Sequence, residues 1–571
     1  MIATENHLTT WDGAKLFYRS WIPSGATSKA LILFHRGHEH SGRWQETVEA
    51  LNFPDVAVFA WDARGHGRSP GERGAANSLT DVIKDTDVFV RHISERHSIP
   101  IENIVVLAHS LAAVTVSAWV HDYAPPIRAM ILATAAFHVK LYVPLAIPAL
   151  RLRQQFFGPG KVTSYVKSGL LTRDRTEAAR YDADPMIFRQ IAVNMLLDLH
   201  DTANRLIADA GAINTPTLVV AAGRDWIVSL NAQRRFFEGL SSPTKEFEIY
   251  PSACHAIFHD LNRSEVVDRI RRFVHERFAE TAVVPSLLSA DQAGYTRNEF
   301  DRISSGRNVR FALARAGLKA AGHFSQGVEI GWRSGFDSGL SLDYVYQNKP
   351  RGRTPLGPLI DKSYLNSVGW RGIRQRKINL KNALTKAIEQ LHGSGRPVRI
   401  LDIAAGAGRY VIETIHELRQ IPVSAVLRDY RDENVAATQA MAEEFGLTNV
   451  TAMHGDAFDA ESIKSTSPKA TIGLISGLYE LFPSNSDVSK SLCAVAEAME
   501  PGGILIYTNQ PWHPQVEFIA RVLRNREGRP WIMRRRTTAE MDELVRTAGF
   551  TKCSMEVDQW GMFTVSVAQR S

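Results

Sequence analysis

Only three cysteines occur in the 571 residues, Cys254, Cys493 and Cys553, and they are scattered without the spacing of a metal site. That scarcity excludes a disulfide framework and a cysteine-ligated metal centre, and it leaves the fold to packing in a reducing compartment. Long apolar runs are missing as well. The longest apolar region, 129–150, is interrupted by His138, Lys140 and two prolines, so no segment reads as a membrane span. The first seven residues lack the basic patch and apolar core of a secretory signal. The protein is therefore expected in the cytoplasm, either free or held peripherally at a membrane surface. No internal repeat and no low-complexity tract is found.

Excess charge is absent from the first half. Residues 1–300 hold 32 Lys and Arg against 32 Asp and Glu, and the whole net charge of +7 comes from 301–571, with 35 against 28. Twelve basic and two acidic residues lie between Lys349 and Arg399. Such a band reads either as a solvated face or as a surface for anionic partners, phospholipid headgroups or nucleic acid. Nucleic acid is the weaker reading, because no basic groove interleaved with aromatic residues accompanies it. The length and the 44% hydrophobic composition are those of a globular chain of about two to four domains.

What is present first is an alternation. Strand patterns at 16–21, 30–35, 56–61, 104–108, 129–133, 217–221 and 246–250 have helical patterns between most of them. This predicts an α/β domain with a mostly parallel sheet covered on both faces. At 104–113 an apolar run passes through His109 into Ser110 and on into Leu111, Ala112 and Ala113. That is the pattern of a strand, a tight turn and a helix, which lifts a serine clear of the sheet. Alanines 108 and 112 stand where the motif has glycine. The strand at 30–35 leads into His35-Arg36-Gly37-His38-Glu39-His40-Ser41-Gly42-Arg43-Trp44, and the strand at 56–61 into Asp62-Ala63-Arg64-Gly65-His66-Gly67-Arg68-Ser69.

These three blocks together resemble the monoacylglycerol lipase and lysophospholipase branch of the α/β-hydrolase family, over roughly residues 5–278. The resemblance implies Ser110 as nucleophile, Asp225 in Gly223-Arg224-Asp225 as the acid, and His255 in Ser252-Ala253-Cys254-His255 as the base, in the order this fold uses. A serine hydroxyl is a weak nucleophile until an imidazole takes its proton and a carboxylate holds that imidazole in the right tautomer. The backbone N–H groups of Gly37 and Leu111 are the expected oxyanion donors, and His109 is expected to be structural. Arg36 and His38 stand where the family usually has glycine. The insertion at about 137–210 lies where a lid belongs. Its apolar stretch 141–157 reads either as a core-packing helix or as a lid that admits the acyl chain of a monoacylglycerol or lysophospholipid.

Residues 1–280 are accordingly read as the hydrolase, 281–295 as a linker and 296–571 as a second domain, opened by an irregular, basic helical extension to about 391. In that domain a strand pattern at 398–403 runs into Asp402-Ile403-Ala404-Ala405-Gly406-Ala407-Gly408-Arg409. Two glycines allow a backbone turn to pass close to a ligand at a helix start. A dinucleotide fingerprint would need a third glycine where Val411 stands. Further on come a strand at 423–427 followed by Asp429, Gly455-Asp456-Ala457-Phe458 after a third strand, a fourth strand at 471–476, and Pro501-Gly502-Gly503 before a fifth.

These landmarks resemble a Rossmann-like class I S-adenosylmethionine-dependent methyltransferase. The resemblance implies S-adenosyl-L-methionine as cofactor, with Gly406 and Gly408 against its methionine and ribose, Asp402 at the amino acid end, Asp429 on the ribose and Asp456 on the adenine. No metal is implied. Residues 477–482 and 509–515 resemble a bacterial methyltransferase family with no assigned substrate. They suggest an acceptor pocket of Tyr479, Glu480, Trp512 and His513, in which His513 or Glu480 removes a proton or the aromatics pack a cationic amine. Asn509-Gln510-Pro511-Trp512 is superficially similar to a DNA amino-methyltransferase motif, but it follows the fifth strand and not the fourth. The expectation is a bifunctional enzyme, a lipid-type ester hydrolase fused to a methyltransferase for a small molecule or lipid. The alternatives are a nucleic-acid methyltransferase with a hydrolase-fold accessory module, and a scaffold whose first domain only binds lipid.

Overall fold

The apolar runs of the first 280 residues assemble into one eight-stranded sheet. In the computed structural model, which describes residues 3–25, 27–281, 285–306 and 308–571, the chain divides into two units, Met1–Val284 and Pro285–Ser571. Both are of the expected α/β class.

The strands of the first unit are β1 (Thr4–Thr9), β2 (Lys15–Trp21), β3 (Ala30–Phe34), β4 (Ala57–Trp61), β5 (Ile104–His109), β6 (Ala129–Ala133), a two-stranded ribbon β7 (Lys161–Thr163) with β8 (Gln190–Ala192), then β9 (Thr217–Ala222) and β10 (Lys245–Tyr250). The sheet order is β1-β2-β4-β3-β5-β6-β9-β10. Strands β1, β2 and β4 pair antiparallel and the rest parallel. Every residue of β3, β4, β5, β6 and β9 is buried. Helices cover both faces of such strands, so they read as unbroken apolar runs with no alternation. The edge strand β1 is mostly exposed, with the sequence TENHLT, and carries no such signal. The helix Leu111–Tyr123 after β5 is buried at every position but its first, which explains why it is apolar all round.

The second unit has β11 (Val398–Asp402), β12 (Val423–Asp429), β13 (Val450–His454), β14 (Ala470–Ile475), β15 (Met499–Asn509), β16 (Phe550–Val557) and β17 (Thr564–Arg570), in the order β13-β12-β11-β14-β15-β17-β16. All pairings are parallel except those of β17. The strand order reverses between β11 and β14, which run parallel, and the carboxyl ends of strands at such a switch point form a ligand crevice. Six helices from Tyr295–Ser304 to Val368–Gly393 precede β11.

Two expectations are corrected here. Of the stretch 281–295 read as a linker, 282–284 lie outside the described residues. Ser286 and Leu287 donate to Glu543 at 2.8 and 2.6 Å, and the Asn485 amide donates to Asp291 at 2.9 Å, so 286–291 is bound into the second unit. The basic band is not one open face either. Lys377 and Lys381 reach Glu413 at 2.8 and 3.2 Å, Lys381 reaches Glu417 at 2.6 Å, Arg376 is buried beside Glu480, and Arg396 and Arg399 pair with Glu500. Much of the local charge is spent inside the unit. No helix among the described residues is long and apolar enough to cross a membrane.

Candidate active sites

Ser110 sits between β5 and the helix Leu111–Tyr123 with φ 59° and ψ −113°. A residue with a Cβ in this region is strained by about 1–3 kcal/mol and persists only when its surroundings hold it. Its N–H donates to Ala133 O at 2.9 Å, and its own carbonyl accepts from Ala113 and Ala136 at 3.1 Å each. Ala108 and Ala112, the elbow positions without glycine, are both buried. His255 Nε2 lies 2.9 Å from Ser110 Oγ, and His255 Nδ1 lies 2.8 Å from Asp225 Oδ2. Asp225 Oδ1 is fixed by the amides of Ile227 and Val228 at 2.8 and 2.9 Å. With the carboxylate as acceptor, Nδ1 carries the ring proton and Nε2 accepts from the serine hydroxyl.

The neighbouring histidines serve this arrangement indirectly. Burial, together with the charges of His255 and Arg36, holds the His109 imidazole well below its usual range. Its Nε2 stands 3.0 Å from the His255 carbonyl, and Thr134 Oγ1 donates to the same oxygen at 3.1 Å. His259 faces away and meets Arg43 O at 3.0 Å.

Gly37 faces Leu111: a Cβ at Gly37 would stand 3.9 Å from the Leu111 Cβ. Leu111 opens its helix, where the first amides have no acceptor within the helix. The two non-glycine residues of this loop are accommodated differently. Arg36 turns inward, donates to Glu39 at 2.7 Å and stacks over Tyr181. Burial alone would raise the Glu39 carboxyl, but the charges of Arg36, His259 and Arg43 outweigh it and keep it ionised. His38 adopts φ 69°, the conformation a glycine takes freely. Burial and the charge of Arg36 push its imidazole down to about 4.

The second motif loop supports the first. Asp62 accepts from the amides of Ser41 and Arg68 at 2.5 and 2.8 Å. A Cβ at Gly67 would fall 2.1 Å from Asp62 Oδ2, so only glycine fits there.

Ser110, His255, Gly37 and Leu111 open into a cavity of about 170 Å³, roofed by Leu141, Val162, Phe188, Ile191 and Leu196 of the insertion. The helix Ala146–Phe157 of that insertion buries none of its residues and leaves Phe156 and Phe157 69% and 81% exposed. It is not the core-packing helix that was one of the two expectations.

In the second unit the acidic residues end adjacent parallel strands, but their surroundings differ. Asp402 is fully buried, with Oδ1 on the Ala404 amide at 3.1 Å and Oδ2 taking the Tyr410 hydroxyl. These two contacts pin the glycine turn from beneath. Burial raises its carboxyl to about 7. Asp429 is buried but for 8% of its surface, and its Oδ2 accepts from Gly406 N and its Oδ1 from Arg431 N and Asn434 Nδ2, each at 2.9 Å. Asp456 is exposed after β13 and accepts from Phe458 N at 2.9 Å. Gly406 and Gly408 have φ 60° and 64°. A Cβ at Gly408 would come within 3.0 Å of Leu427 and Thr438, whereas at Gly406 only Gly339 Cα lies nearby, at 3.8 Å. Gly408 is thus required by packing, and Gly406 keeps the backbone bare.

Of the expected acceptor pocket, Glu480 and His513 line a cavity of about 430 Å³, while Tyr479 and Trp512 do not. Tyr479 is packed into the core, with its hydroxyl on Ser491 at 3.0 Å. Trp512 packs behind the wall against the aromatic cluster. The rest of the wall comes from Trp370, Ile373, Arg376, Gln510, Trp531 and Phe563 among others. These lie up to two hundred residues apart and share no local motif. Their only trace in the sequence is tryptophan and phenylalanine in an otherwise basic half.

Along its whole length the chain is similar to "Uncharacterized protein YnbC" of Escherichia coli (strain K12), with 46% identity over 579 residues that span 100% of this chain and 99% of the relative. Its first half is similar to "Monoacylglycerol lipase" of Mycolicibacterium smegmatis, 25% identical over 263 residues, 46% of this chain and 93% of the relative. It is also similar to "Monoglyceride lipase" of Mus musculus, 28% identical over 288 residues, 48% of this chain and 91% of the relative. The family described as "Serine aminopeptidase, S33" matches residues 25–262, and that described as "Putative methyltransferase" matches residues 270–570. The chain therefore belongs to the family described as "Putative methyltransferase", and it carries an α/β-hydrolase unit of lipase type ahead of the methyltransferase unit.

Proposed function

We propose that the chain is a bifunctional enzyme: a serine hydrolase of carboxylic esters with a lipid-type acyl chain, joined to a methyltransferase that uses S-adenosylmethionine. The observation that carries the first half is the hydrogen-bonded chain from Ser110 Oγ through His255 to Asp225, at 2.9 and 2.8 Å, opening into an apolar cavity. In this reading His255 Nε2 takes the hydroxyl proton as Ser110 attacks the ester carbonyl. Asp225 stabilises the imidazolium through Nδ1–H, and His255 then returns the proton to the leaving alcohol. The amides of Gly37 and Leu111 receive the developing oxyanion, each worth about 3 kcal/mol in such sites. The apolar roof and the exposed Phe156 and Phe157 favour a single acyl chain over a polar ester.

For the second half, the bare backbone at Gly406 and the carboxylates of Asp429 and Asp456 suit a ligand that offers hydroxyl and amino donors. Those residues would hold S-adenosylmethionine, which supplies an electrophilic methyl group. Gly408 and Asp402 would act by keeping the turn in shape.

A fluorophosphonate probe and a monoacylglycerol assay test the first half. Wild type is labelled and hydrolyses the ester, and Ser110→Ala does neither; equal labelling of both refutes it. Calorimetry with S-adenosylmethionine tests the second half. Binding weakens at least tenfold in Asp429→Ala, and unchanged affinity refutes the assignment.

A further inference from the structure

Four histidines line the cavity that Ser110 opens into, and two of them are fully engaged. His255 serves Ser110 and Asp225, while His35 gives Nδ1–H to Arg36 O at 2.8 Å and accepts the Ala63 amide on Nε2 at 3.0 Å. The other two keep capacity. His66 spends Nδ1–H on Arg64 O at 3.0 Å, which leaves its Nε2 as a bare acceptor. His38 makes no hydrogen bond with any described residue. Both side chains are half-buried, and none of these open nitrogens is sealed off as the unpaired Nε of Arg36 is, so each meets space that a water or a ligand enters.

Neither ring is charged at neutral pH. Burial holds the His66 imidazole well below its usual range and pushes that of His38 down to about 4. The two stand against one side chain of the roof, Phe188, whose ring centroid lies 5.5 Å from that of His38 and 5.0 Å from that of His66. The arginines of the same wall offer nothing to an anion, because Arg36 is paired with Glu39 and Arg64 with Asp12 and Asp85. His38 also holds φ 69°, a conformation that costs a residue with a Cβ and that the glycine usual here in the lipase branch takes freely. A costly backbone that brings a neutral, unpartnered ring into the cavity, one residue from the Gly37 amide, calls for a use.

We infer that His38 and His66 form a subsite for a free hydroxyl that the ester carries close to its carbonyl. The inference rests on the hydrolase reading and narrows the substrate within it. A hydroxyl gives one hydrogen bond and takes others, which matches the bare Nε2 of His66 as acceptor and the ring N–H of His38 as donor. A carboxylate or phosphate only accepts, and it would face the His66 acceptor with no free cation beside it. An ammonium only donates and would leave the His38 N–H unused. The hydroxyl sits near the carbonyl because His38 directly follows Gly37, the expected oxyanion donor. It belongs either to the leaving alcohol, as in a monoacylglycerol, or to the acyl chain, as in a hydroxyacyl ester.

Esters that differ by a single hydroxyl test this on the full-length protein: propyl decanoate, 3-hydroxypropyl decanoate and propyl 3-hydroxydecanoate. Wild type prefers one hydroxylated ester over the plain one about tenfold or more in kcat/KM, and the ester preferred tells which side carries the hydroxyl. His38→Gly lowers that ratio about fivefold or more, and so does His66→Asn, whose amide keeps the bond to Arg64 O and removes Nε2. His38→Asn, which tolerates the φ of 69° and restores a donor, recovers part of the ratio. Thermal unfolding shows that each variant is folded. A role in holding the loop alone would lower all the rates together and leave the ratio unchanged. That result overturns the inference, as does a wild type without preference for either hydroxylated ester. The fluorophosphonate probe is run on the same samples. A protein neither labelled nor active on any ester removes the hydrolase reading and the inference together, while one labelled and active without preference removes only the inference.

Discussion

Replacing Asp402 by asparagine makes the second unit more stable at alkaline pH and leaves it nearly unchanged in acid. Burial lifts this carboxyl from its usual 3.8 to about 7. The folded protein thus keeps the proton through a range in which the unfolded chain has lost it. Between those two values folding takes up a proton, so this residue's contribution to stability falls as pH rises. The loss is complete above about pH 7. A shift of about three units corresponds to about 4 kcal/mol, an upper bound for a site that can relax. Asparagine has no titration and preserves both contacts: its oxygen accepts the Ala404 amide, and its NH₂ donates to the Tyr410 hydroxyl oxygen. Urea unfolding of the full-length protein across the range of about pH 4.5 to 8 reads the effect. The transition of the second unit moves to higher urea in the variant by an amount that grows with pH, while that of the first unit stays put and serves as the control. Parallel pH dependences in the two proteins, or a destabilised variant at about pH 8, would refute the reasoning.

Two further substitutions probe the first unit. Arg36→Gly restores the residue usual in the lipase branch but leaves the buried Glu39 with only the more distant Arg43, at 3.6 Å, so it lowers stability by about 3 kcal/mol at most, and Glu39→Gln in the same chain recovers most of the loss. An Arg36→Gly protein with unchanged thermal unfolding would show that the pair is not the reason for the arginine. Gly67→Ala forces a Cβ to within 2.1 Å of Asp62 Oδ2 in a backbone with φ 48°. Thermal unfolding of the first unit falls and ester hydrolysis goes with it, whereas full activity would mean that the Asp62 loop can rearrange.

The parts of both sites that were legible share one property: they lie within a few residues of a strand end. Ser110, Asp225 and His255 each follow a strand whose apolar run is unmistakable, and a local turn places each side chain. The meeting of Gly406 N with Asp429 Oδ2 follows the same rule, since each lies at or just beyond a strand end. Depth was not legible. Asp402 and Asp429 occupy equivalent strand ends and both are buried, yet Tyr410 closes over one completely while the other keeps 8% exposure. Partners distant in sequence were not legible either. Lys377 and Lys381 read as free charge until Glu413 and Glu417 are seen beside them, and the aromatic wall of the larger cavity joins residues 370, 531 and 563 with no common period. His513 shows a subtler limit: its tautomer depends on the Gln515 amide, which donates to Nδ1 at 3.0 Å across a turn that residue types alone do not specify.

The conformation of Ser110 is imposed from outside the elbow, by Ala133 at the end of β6 and by Ala136 just beyond it. Those two contacts tie the strained backbone to residues that belong to the core: Ala133 ends β6 between His109 and Val220, and 133–136 are all buried. The aim of the nucleophile is therefore inseparable from the packing of the sheet. Damage at 133–136 would lower cellular protein level and turnover together, so a survey of variants could not assign these positions to folding or to catalysis alone.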